Sequence, residues 1–117
     1  VYMYENGALT WDAPCVTGNV SKNYTTPEGI YSLTYKQADR VLRGAKQADG
    51  TYEYESHVDY WMPFNGGIGF HDASWRSKFG GTIYQYSGSH GCINLPVDKA
   101  KLLYEKVYKG MPVLCHN

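Results

Sequence analysis

The sequence has no excess of charge of either sign, no long hydrophobic run and no paired cysteine motif. Its 11 basic and 11 acidic residues give a formal net charge of zero, so no overall field would attract nucleic acid or an anionic membrane. The apolar runs are only a few residues long, far short of the roughly 20 residues that span a bilayer. We therefore expect neither a nucleic-acid partner nor a membrane contact from this segment.

Cysteine is sparse, and its positions argue against a cross-linked or metal-bound framework. Cys15, Cys92 and Cys115 form an odd set without CxxC spacing, which disfavours both a disulfide framework and a structural zinc site. Cys15 and Cys115 each lie inside an apolar pattern typical of a strand, where a free cysteine is usually a small hydrophobe. We predict that these two are structural and reduced, and that the protein uses no metal or cofactor.

The remaining bulk properties indicate one mainly β domain over residues 1–117. A chain of 117 residues with 43% hydrophobic and 19% charged residues is typical of a single globular domain. Its 12 tyrosines and 3 tryptophans favour strands. The first residues, VYMYENG, lack the basic start and apolar core of a signal peptide, so any export signal or anchor is expected upstream of residue 1.

Alternating apolar residues predict strands in the first half of the chain. Residues 1–17 are predicted to form a hairpin, because Asn6-Gly7 suits a tight turn between two alternating segments. A polar loop with Pro27 and Gly29 precedes a strand in IYSLTY, and an extended run is predicted in TYEYESHVDYW. Residues 36–49 remain open between helix and irregular structure, because their apolar spacing is helical but short and interrupted by Gly44.

The last third of the chain combines a glycine-rich segment with a helix. Residues 63–91 hold seven of the thirteen glycines, a density typical of loops that approach a ligand closely. A helix is predicted to start after Pro96, with an apolar stripe at the spacing i, i+3, i+4, i+7 and an end at Gly110. The stripe consists of Ala100, Leu103, Tyr104 and Val107. The segment MPVLCH is predicted to be a closing strand.

The segment Ser89-His90-Gly91-Cys92-Ile93-Asn94 is the strongest chemical signal. Cys92 lies in glycine-rich backbone near two histidines, and a histidine within hydrogen-bond reach lowers the pKa of a thiol and makes it a nucleophile. We therefore predict that Cys92 is the nucleophile. The backbone N–H groups of His90, Gly91 and Cys92 are expected to form an oxyanion hole, which Gly91 would permit by its tight geometry.

His71 is the preferred base for this nucleophile. It lies in Gly-Phe-His-Asp, where a neighbouring carbonyl or the carboxylate of Asp72 would fix its tautomer and orientation. His90 is the alternative, because a spacing of two residues in extended backbone puts it on the same face as Cys92. His57 and His116 lie outside the glycine-rich segment and are expected to be structural.

These motifs together resemble the YkuD-type L,D-transpeptidase catalytic domain along nearly the whole chain. The histidine motif of that family is matched by GFHDASWR and its SHGC motif by GSHGCIN, while VTGN, TPEGIY and GMPV resemble its flanking landmarks. The resemblance implies a mainly β fold, either a β-sandwich or mixed sheets, with one or two short helices including one near the C-terminus. It also implies a cleft beneath a mobile lid.

The resemblance further implies an activity on cell-wall peptides outside the cytoplasm, in the wall or periplasm. Cys92 would attack the third residue of a tetrapeptide stem and expel the terminal D-alanine, and the amine of a second stem would resolve the thioester with help from His71. The partners are thus peptidoglycan stem peptides as donor and acceptor, and carbapenems are expected to acylate the same sulfur.

Further site residues follow from the same resemblance. Met62 and Trp75 resemble residues that wall the substrate cleft, with core packing as the alternative for each. Ser89 is expected to contact substrate, and Asn94 is expected either to hydrogen-bond the substrate or to hold the loop. The third member of the family's catalytic triad is commonly a backbone carbonyl beside the histidine. Here that neighbour is the ionisable Asp72, whose carboxylate is expected to face solvent.

Three other functions remain open at this point. An L,D-carboxypeptidase would use the same nucleophile with water as acceptor. A zinc-binding module would use His71, Asp72, His90 and Cys92, although their spacing is poor for a structural site. A non-catalytic domain that binds the cell wall would not depend on Cys92 at all.

Overall fold

The computed structural model describes residues 1–116 and consists of eight strands and two short helices in that range. In chain order these elements are β1 Tyr2–Glu5, β2 Ala8–Asp12, β3 Gly29–Ser32, β4 Gln37–Arg43, β5 Glu55–Asn65, β6 Ile68–Asp72, α1 Ile83–Ser87, β7 Ile93–Leu95, α2 Val97–Lys106 and β8 Pro112–Cys115. The predicted mainly β fold with mixed sheets and a helix near the C-terminus is confirmed.

The predicted N-terminal hairpin is present but shorter than expected. Strands β1 and β2 pair antiparallel, and Asn6 and Gly7 both have positive φ angles, 52° and 81°. Positive φ at both central residues matches the twist of the flanking strands. The strand ends at Asp12. Ala13 still exchanges hydrogen bonds with Val1, and residues 16–19 then bond with residues 89–94 instead. Cys15 therefore lies outside any strand.

The C-terminal strand β8 pairs antiparallel with β3 in a second two-stranded sheet. The register joins Gly29 to Cys115 and Ser32 to Pro112. Each of these strands was predicted from a short apolar run. The N–H of Leu33 continues this pairing by donating to the carbonyl of Met111 at 2.8 Å. The small sheet lies beside the central sheet, and the N–H of Thr34 joins the two by donating to the carbonyl of Pro63 at 2.8 Å.

The central sheet has the order β4-β5-β6-β7. Residues 37–43, left open between helix and irregular structure, form strand β4, because they pair along the first half of β5. The partner strand β5 is more than ten residues away in sequence, so a pattern read within residues 36–49 does not reveal this pairing. The second half of β5 pairs with β6, and its side chains are buried on both faces from Trp61 to Phe64. The first half projects as part of the β4–β5 hairpin.

Strands β6 and β7 are the parallel pair of the central sheet, and they align the two chemical motifs. Their register joins Phe70 to Ile93 and His71 to Asn94. Parallel strands need a long crossover, and here residues 73–92 supply it, including the five-residue helix α1 that the sequence did not predict. The histidine motif on β6 and the cysteine just before β7 are thus brought side by side.

Helix α2 packs against β5 and β6 and closes the hydrophobic core. Ala100 and Leu103 from the predicted stripe are buried on the helix, and Val107 is buried just beyond its last residue. No helix among residues 1–116 is long and apolar enough to cross a membrane. The core joins the sheets and this helix, and its buried members include Met3, Trp11, Leu33, Met62, Phe64, Phe70, Ile93, Leu95 and Leu103.

Candidate active site

The loop that carries Cys92 is held by backbone hydrogen bonds to residues 16–19. Val16 and Asn94 exchange N–H···O bonds of 2.9 and 2.8 Å. Ser89 donates its N–H to Thr17 at 2.9 Å, and its carbonyl accepts the N–H of Asn19 at 2.8 Å. Backbone hydrogen bonds alone therefore hold the chain on both sides of the cysteine.

Gly91 and Ser89 set the turn directly before the nucleophile. Gly91 has a φ of 132°, a conformation that residues with a side chain rarely adopt. Its N–H donates to the hydroxyl of Ser89 at 3.1 Å, and that hydroxyl donates to the carbonyl of Cys92. The carbonyl of Gly91 accepts the hydroxyl of Thr26 at 2.6 Å. The N–H of Gly91 is thus already engaged, so the predicted oxyanion hole would depend on the N–H groups of His90 and Cys92.

The thiol of Cys92 is half-buried and lies against the backbone of β6 and the turn before it. Its Sγ–H donates to the carbonyl of Gly67 at 3.3 Å. Burial raises the pKa of this thiol, because an apolar environment disfavours the thiolate, while the N–H of Gly69 acts in the opposite direction. The net shift is upward, so the thiol is protonated at neutral pH.

His71 is held on β6 with only 4% of its surface exposed. Its Nδ1 lies 2.7 Å from the carbonyl oxygen of Asp72. A carbonyl can only accept, so Nδ1 carries the proton and Nε2 is left with a free lone pair. Burial lowers the pKa of this imidazole, and the bond to the Asp72 carbonyl opposes the shift only in part. The rings of Trp61 and Trp75 lie 6.0 and 5.9 Å from it.

The carboxylate of Asp72 does not face solvent, and that prediction is wrong. Asp72 is 2% exposed, and its two oxygens accept the backbone N–H groups of Asp59 and Tyr60 at 3.0 and 2.8 Å. The residue thus binds His71 through its carbonyl and binds strand β5 through its side chain. Of the two groups that were expected to fix the tautomer of His71, the carbonyl is the one in contact.

The two pKa shifts together define the resting state of the site. The pKa of Cys92 is raised and that of His71 is lowered, each with burial as the largest cause. Both groups are therefore neutral at neutral pH. The sequence had suggested that a histidine lowers the pKa of the thiol, whereas the structure favours a neutral thiol and a neutral imidazole in the same cleft.

His90 is directed toward the β4–β5 hairpin and is exposed. Its ring stacks on Tyr24 with the centroids 4.6 Å apart and contacts Tyr54 at 4.8 Å. Its Nε2 lies 3.2 Å from a carboxylate oxygen of Glu53. These contacts commit the ring to holding the hairpin near the cysteine loop, so the geometry favours His71 over His90 as the base.

Cys92 and His71 line one cleft of about 260 Å³. Trp75 is 52% exposed at its mouth. Asn94 is 2% exposed, and its Oδ1 has no hydrogen-bond partner among the described residues. Met62 is fully buried in the core and does not line the cleft, so the prediction that it walls the cleft is wrong. The other lining residues are Leu42, Tyr54, Ser56, Arg76, Gly88, Ser89 and His90.

The remaining predicted residues lie away from this cleft. His57 is exposed on the β4–β5 hairpin and pairs with Asp39 and Asp59, and His116 is exposed after β8. Cys15, Cys92 and Cys115 are all free thiols. Cys15 lines a separate hollow of about 520 Å³ with Val1 and Tyr84, and this hollow holds none of the predicted catalytic residues.

The four side chains considered for zinc do not converge. The Nδ1 atom of His71, the carboxylate of Asp72 and the Nε2 atom of His90 each have a protein partner. Within residues 1–116, no three His, Cys, Asp or Glu side chains are placed to hold a metal ion. Among the described residues, Cys92 and His71 instead line one cleft without a common metal site.

Five residues that line the cleft were not found from the sequence, and two of them, Tyr54 and Arg76, are ionisable. Tyr54 reaches the cleft from the β4–β5 hairpin, and burial is the largest cause of the raised pKa of its phenol. Arg76 follows Trp75 and enters the same cleft. The motif GFHDASWR contains Arg76, but the sequence does not show whether the side chain of a charged loop residue points into a cleft or into solvent. Tyr54 lay in a strand pattern where tyrosine is common.

Known proteins resemble this chain in sequence and in structure. The family model of the YkuD L,D-transpeptidase catalytic domain matches residues 1–115. A mutant of the Enterococcus faecium L,D-transpeptidase is 38% identical, with a TM-score of 0.85 over 97% of this chain and 44% of that one. The catalytic domain of the E. faecium L,D-transpeptidase acylated by ertapenem is 39% identical, with a TM-score of 0.81 over 98% of this chain and 87% of that one.

A more distant structure supports the same match. L,D-transpeptidase 3 from Mycobacterium tuberculosis in complex with a faropenem-derived adduct is 26% identical, with a TM-score of 0.75 over 100% of this chain and 48% of that one. The chain thus spans less than half the length of several structures that it matches. No curated protein matches the chain significantly.

Proposed function

The chain belongs to the family of YkuD L,D-transpeptidase catalytic domains, and on that premise we propose that it forms 3-3 cross-links in peptidoglycan through a thioester on Cys92. The donor is a tetrapeptide stem, and the acceptor is the side-chain amine of a second stem. One observation carries the proposal: Cys92 and His71 line the same cleft, and the bond from Nδ1 to the Asp72 carbonyl leaves Nε2 as a proton acceptor.

In the acylation step, the sulfur of Cys92 attacks the carbonyl carbon of the third stem residue. Nε2 of His71 accepts the thiol proton as the C–S bond forms, and passes it to the amine nitrogen of the terminal D-alanine as the C–N bond breaks. The N–H groups of His90 and Cys92 stabilise the oxyanion between these events. The products are a thioester and free D-alanine. The neutral resting state suits this step, since the base is unprotonated when the substrate binds.

In the transfer step, the acceptor amine attacks the thioester carbonyl and gives a proton to His71. The C–S bond then breaks, and the proton returns to the sulfur of Cys92. Water in place of the amine would give the tripeptide instead. Exclusion of water from a half-buried sulfur favours the amine, because the acceptor arrives with binding contacts that a water molecule lacks.

Other cleft residues have supporting roles in this proposal. Trp75 presents an exposed aromatic face at the cleft mouth for the apolar part of a stem peptide. The unpartnered Oδ1 of Asn94 suits a substrate N–H, since a buried acceptor without a partner is costly. Ser89 and Gly91 hold the cysteine loop, because their hydrogen bonds are made within it. Asp72 positions His71.

The same sulfur is the proposed target of β-lactams. The E. faecium relative is acylated by ertapenem, and the M. tuberculosis relative carries a faropenem-derived adduct. We expect Cys92 to be acylated by carbapenems in the same manner. Because stem peptides are exposed in the cell wall, the proposed place of action is extracytoplasmic.

The test is the intact mass of the protein and its products. A tetrapeptide donor alone should add a tripeptide acyl group to the protein, and an added acceptor should yield a cross-linked dimer with loss of D-alanine. Ertapenem should add one equivalent. Cys92→Ala should abolish every adduct, and Cys15→Ala should abolish none. Release of tripeptide alone, with no dimer at any acceptor concentration, would establish a carboxypeptidase instead.

A further inference from the structure

Arg76 is the one fixed positive charge of the cleft. Among the described lining residues there is no other lysine or arginine and no aspartate or glutamate. Its Nη1 donates to the carbonyl of Ser87 at 2.7 Å, while its Nε is buried without a hydrogen-bond partner. No carboxylate among residues 1–116 forms an ion pair with it. The guanidinium is therefore partly desolvated and lacks an anion.

A partly desolvated guanidinium without an ion-pair partner is suited to bind an anion from outside the protein. Removal of a cation from water is costly unless an opposite charge or further hydrogen bonds replace the lost hydration. Burial lowers the pKa of Arg76, which is the signature of that cost. Guanidinium N–H groups outside the bond to Ser87 match the geometry of a carboxylate, which an arginine binds through two parallel bonds.

The chemistry of the donor fixes where its carboxylate must lie. His71 has to deliver a proton to the amine nitrogen of the leaving D-alanine. In that residue one carbon atom separates the nitrogen from the terminal carboxylate, so the carboxylate must lie close to His71 when the proton is delivered. Arg76 is near enough that its charge is one of the influences on the imidazole. It follows Trp75, whose ring lies 5.9 Å from that of His71.

We propose that Arg76 binds the terminal carboxylate of the donor stem and thereby selects donors that end in a free acid. This inference rests on the proposed function, which supplies the donor and its leaving D-alanine. It adds a binding role for Arg76, a residue that the proposed acyl transfer itself does not use. The bound carboxylate also holds the scissile amide between Cys92 and His71. An acceptor stem reaches the thioester after D-alanine has left, so its binding does not depend on Arg76.

The experiment compares two tetrapeptide donors that differ only at the terminus, one with a free carboxylate and one with a carboxamide. With the wild-type protein, kcat/KM for thioester formation should favour the acid by about ten- to a hundredfold, the usual strength of a charged hydrogen-bonded pair. Arg76→Gln should lower the rate with the acid by a similar factor and leave the carboxamide nearly unchanged. Arg76→Lys should recover part of the preference, because it keeps the charge but not the fork.

Lys78→Gln is the matched control, because Lys78 is exposed and does not line the cleft, so both donors should react as with the wild type. Equal losses with both donors in Arg76→Gln, or equal rates with both donors in the wild type, would overturn the role of Arg76 alone. Absence of any thioester from either donor in the wild type would overturn the proposed function and this inference together.

Discussion

The two histidines that line the cleft with Cys92 differ in what holds them. His71 lies inside the central sheet, 4% exposed, and its position is set by the backbone of β6 and the carbonyl of Asp72. His90 is exposed on a glycine-flanked loop and is held by the side chains of Tyr24, Glu53 and Tyr54. The first environment fixes a tautomer, and the second joins two loops. This difference supports the proposal that His71, which is farther from Cys92 in sequence, is the base.

His71→Gln tests the first half of this difference and should have the largest effect. The variant keeps a polar side chain but cannot exchange protons near neutral pH, so kcat for thioester formation should fall by about a hundred- to ten-thousandfold. The measurement is single-turnover acylation by ertapenem followed by mass. The fold should persist, which circular dichroism would check. A loss of less than tenfold would contradict the role of His71 as base.

Asp72→Ala separates the two functions of that residue. The carbonyl remains and still accepts from His71, but the N–H groups of Asp59 and Tyr60 lose their buried acceptors. We expect the free energy of unfolding to fall by about 1–3 kcal/mol, with kcat within a few-fold of the wild type below the unfolding temperature. Urea unfolding and acylation rates measure these two quantities. Asp98→Ala, at an exposed helix position, is the control.

If kcat in Asp72→Ala fell as far as in His71→Gln while stability stayed unchanged, the carboxylate would be the catalytic group. The side chain would then have to leave strand β5 during the reaction. The hydrogen bonds of 3.0 and 2.8 Å argue against such a movement, because both would be broken without replacement.

His90→Ala addresses the second half of the difference. It removes two ring contacts and the pair with Glu53, so the β4–β5 hairpin should be less firmly held over the cleft. Each aromatic contact is worth roughly 0.5–1.5 kcal/mol, and we expect KM for the donor to rise by roughly two- to tenfold with a smaller change in kcat. Steady-state kinetics would show the split. His90→Phe should recover much of the loss, since it keeps the ring.

Much of the site could be predicted because its chemistry is carried by neighbours in sequence. The segment from Ser89 to Asn94 holds the proposed nucleophile and its loop, and the pair His71-Asp72 holds the proposed base and the carbonyl that contacts it. Met62 could not be excluded from the cleft, because a strand pattern does not say which face is covered by the rest of the chain. Here α2 and the opposite sheets bury it completely.

The parts of the fold that sequence patterns missed depend on contacts between distant segments. Residues 37–43 have a helical spacing, but pairing with the first half of β5 makes them a strand. Residues 16–19 hold the cysteine loop through backbone hydrogen bonds, and backbone bonds cannot be predicted from the pattern of side chains. The turn at Asn6-Gly7, in contrast, was predicted correctly because its dihedral angles depend on those two residues alone.

The smallest expected effect is on the ionisation of Cys92. Burial raises the pKa of this thiol and lowers that of His71, so the alkylation rate of Cys92 by iodoacetamide should rise with pH around a midpoint above the ordinary thiol value. His71→Gln should leave that midpoint unchanged, because an imidazole that is neutral over the whole range adds no charge. Cys15→Ala and Cys115→Ala together would restrict the reaction to one sulfur.

The opposite arrangement has a distinct signature. In an imidazolium–thiolate pair, alkylation would be fast near neutral pH, and its midpoint would rise sharply on replacement of His71.

In the neutral pair, kcat/KM depends on His71 being unprotonated in the free enzyme. Activity should therefore increase with pH through a value below 6.5, the ordinary histidine pKa from which burial lowers it. Because burial lowers the pKa of His71 in the folded protein, the unfolded protein takes up a proton on this imidazole first when the pH falls. The stability that depends on neutral His71 is therefore complete above pH 6.5 and is lost as the pH falls through the pKa of the folded protein.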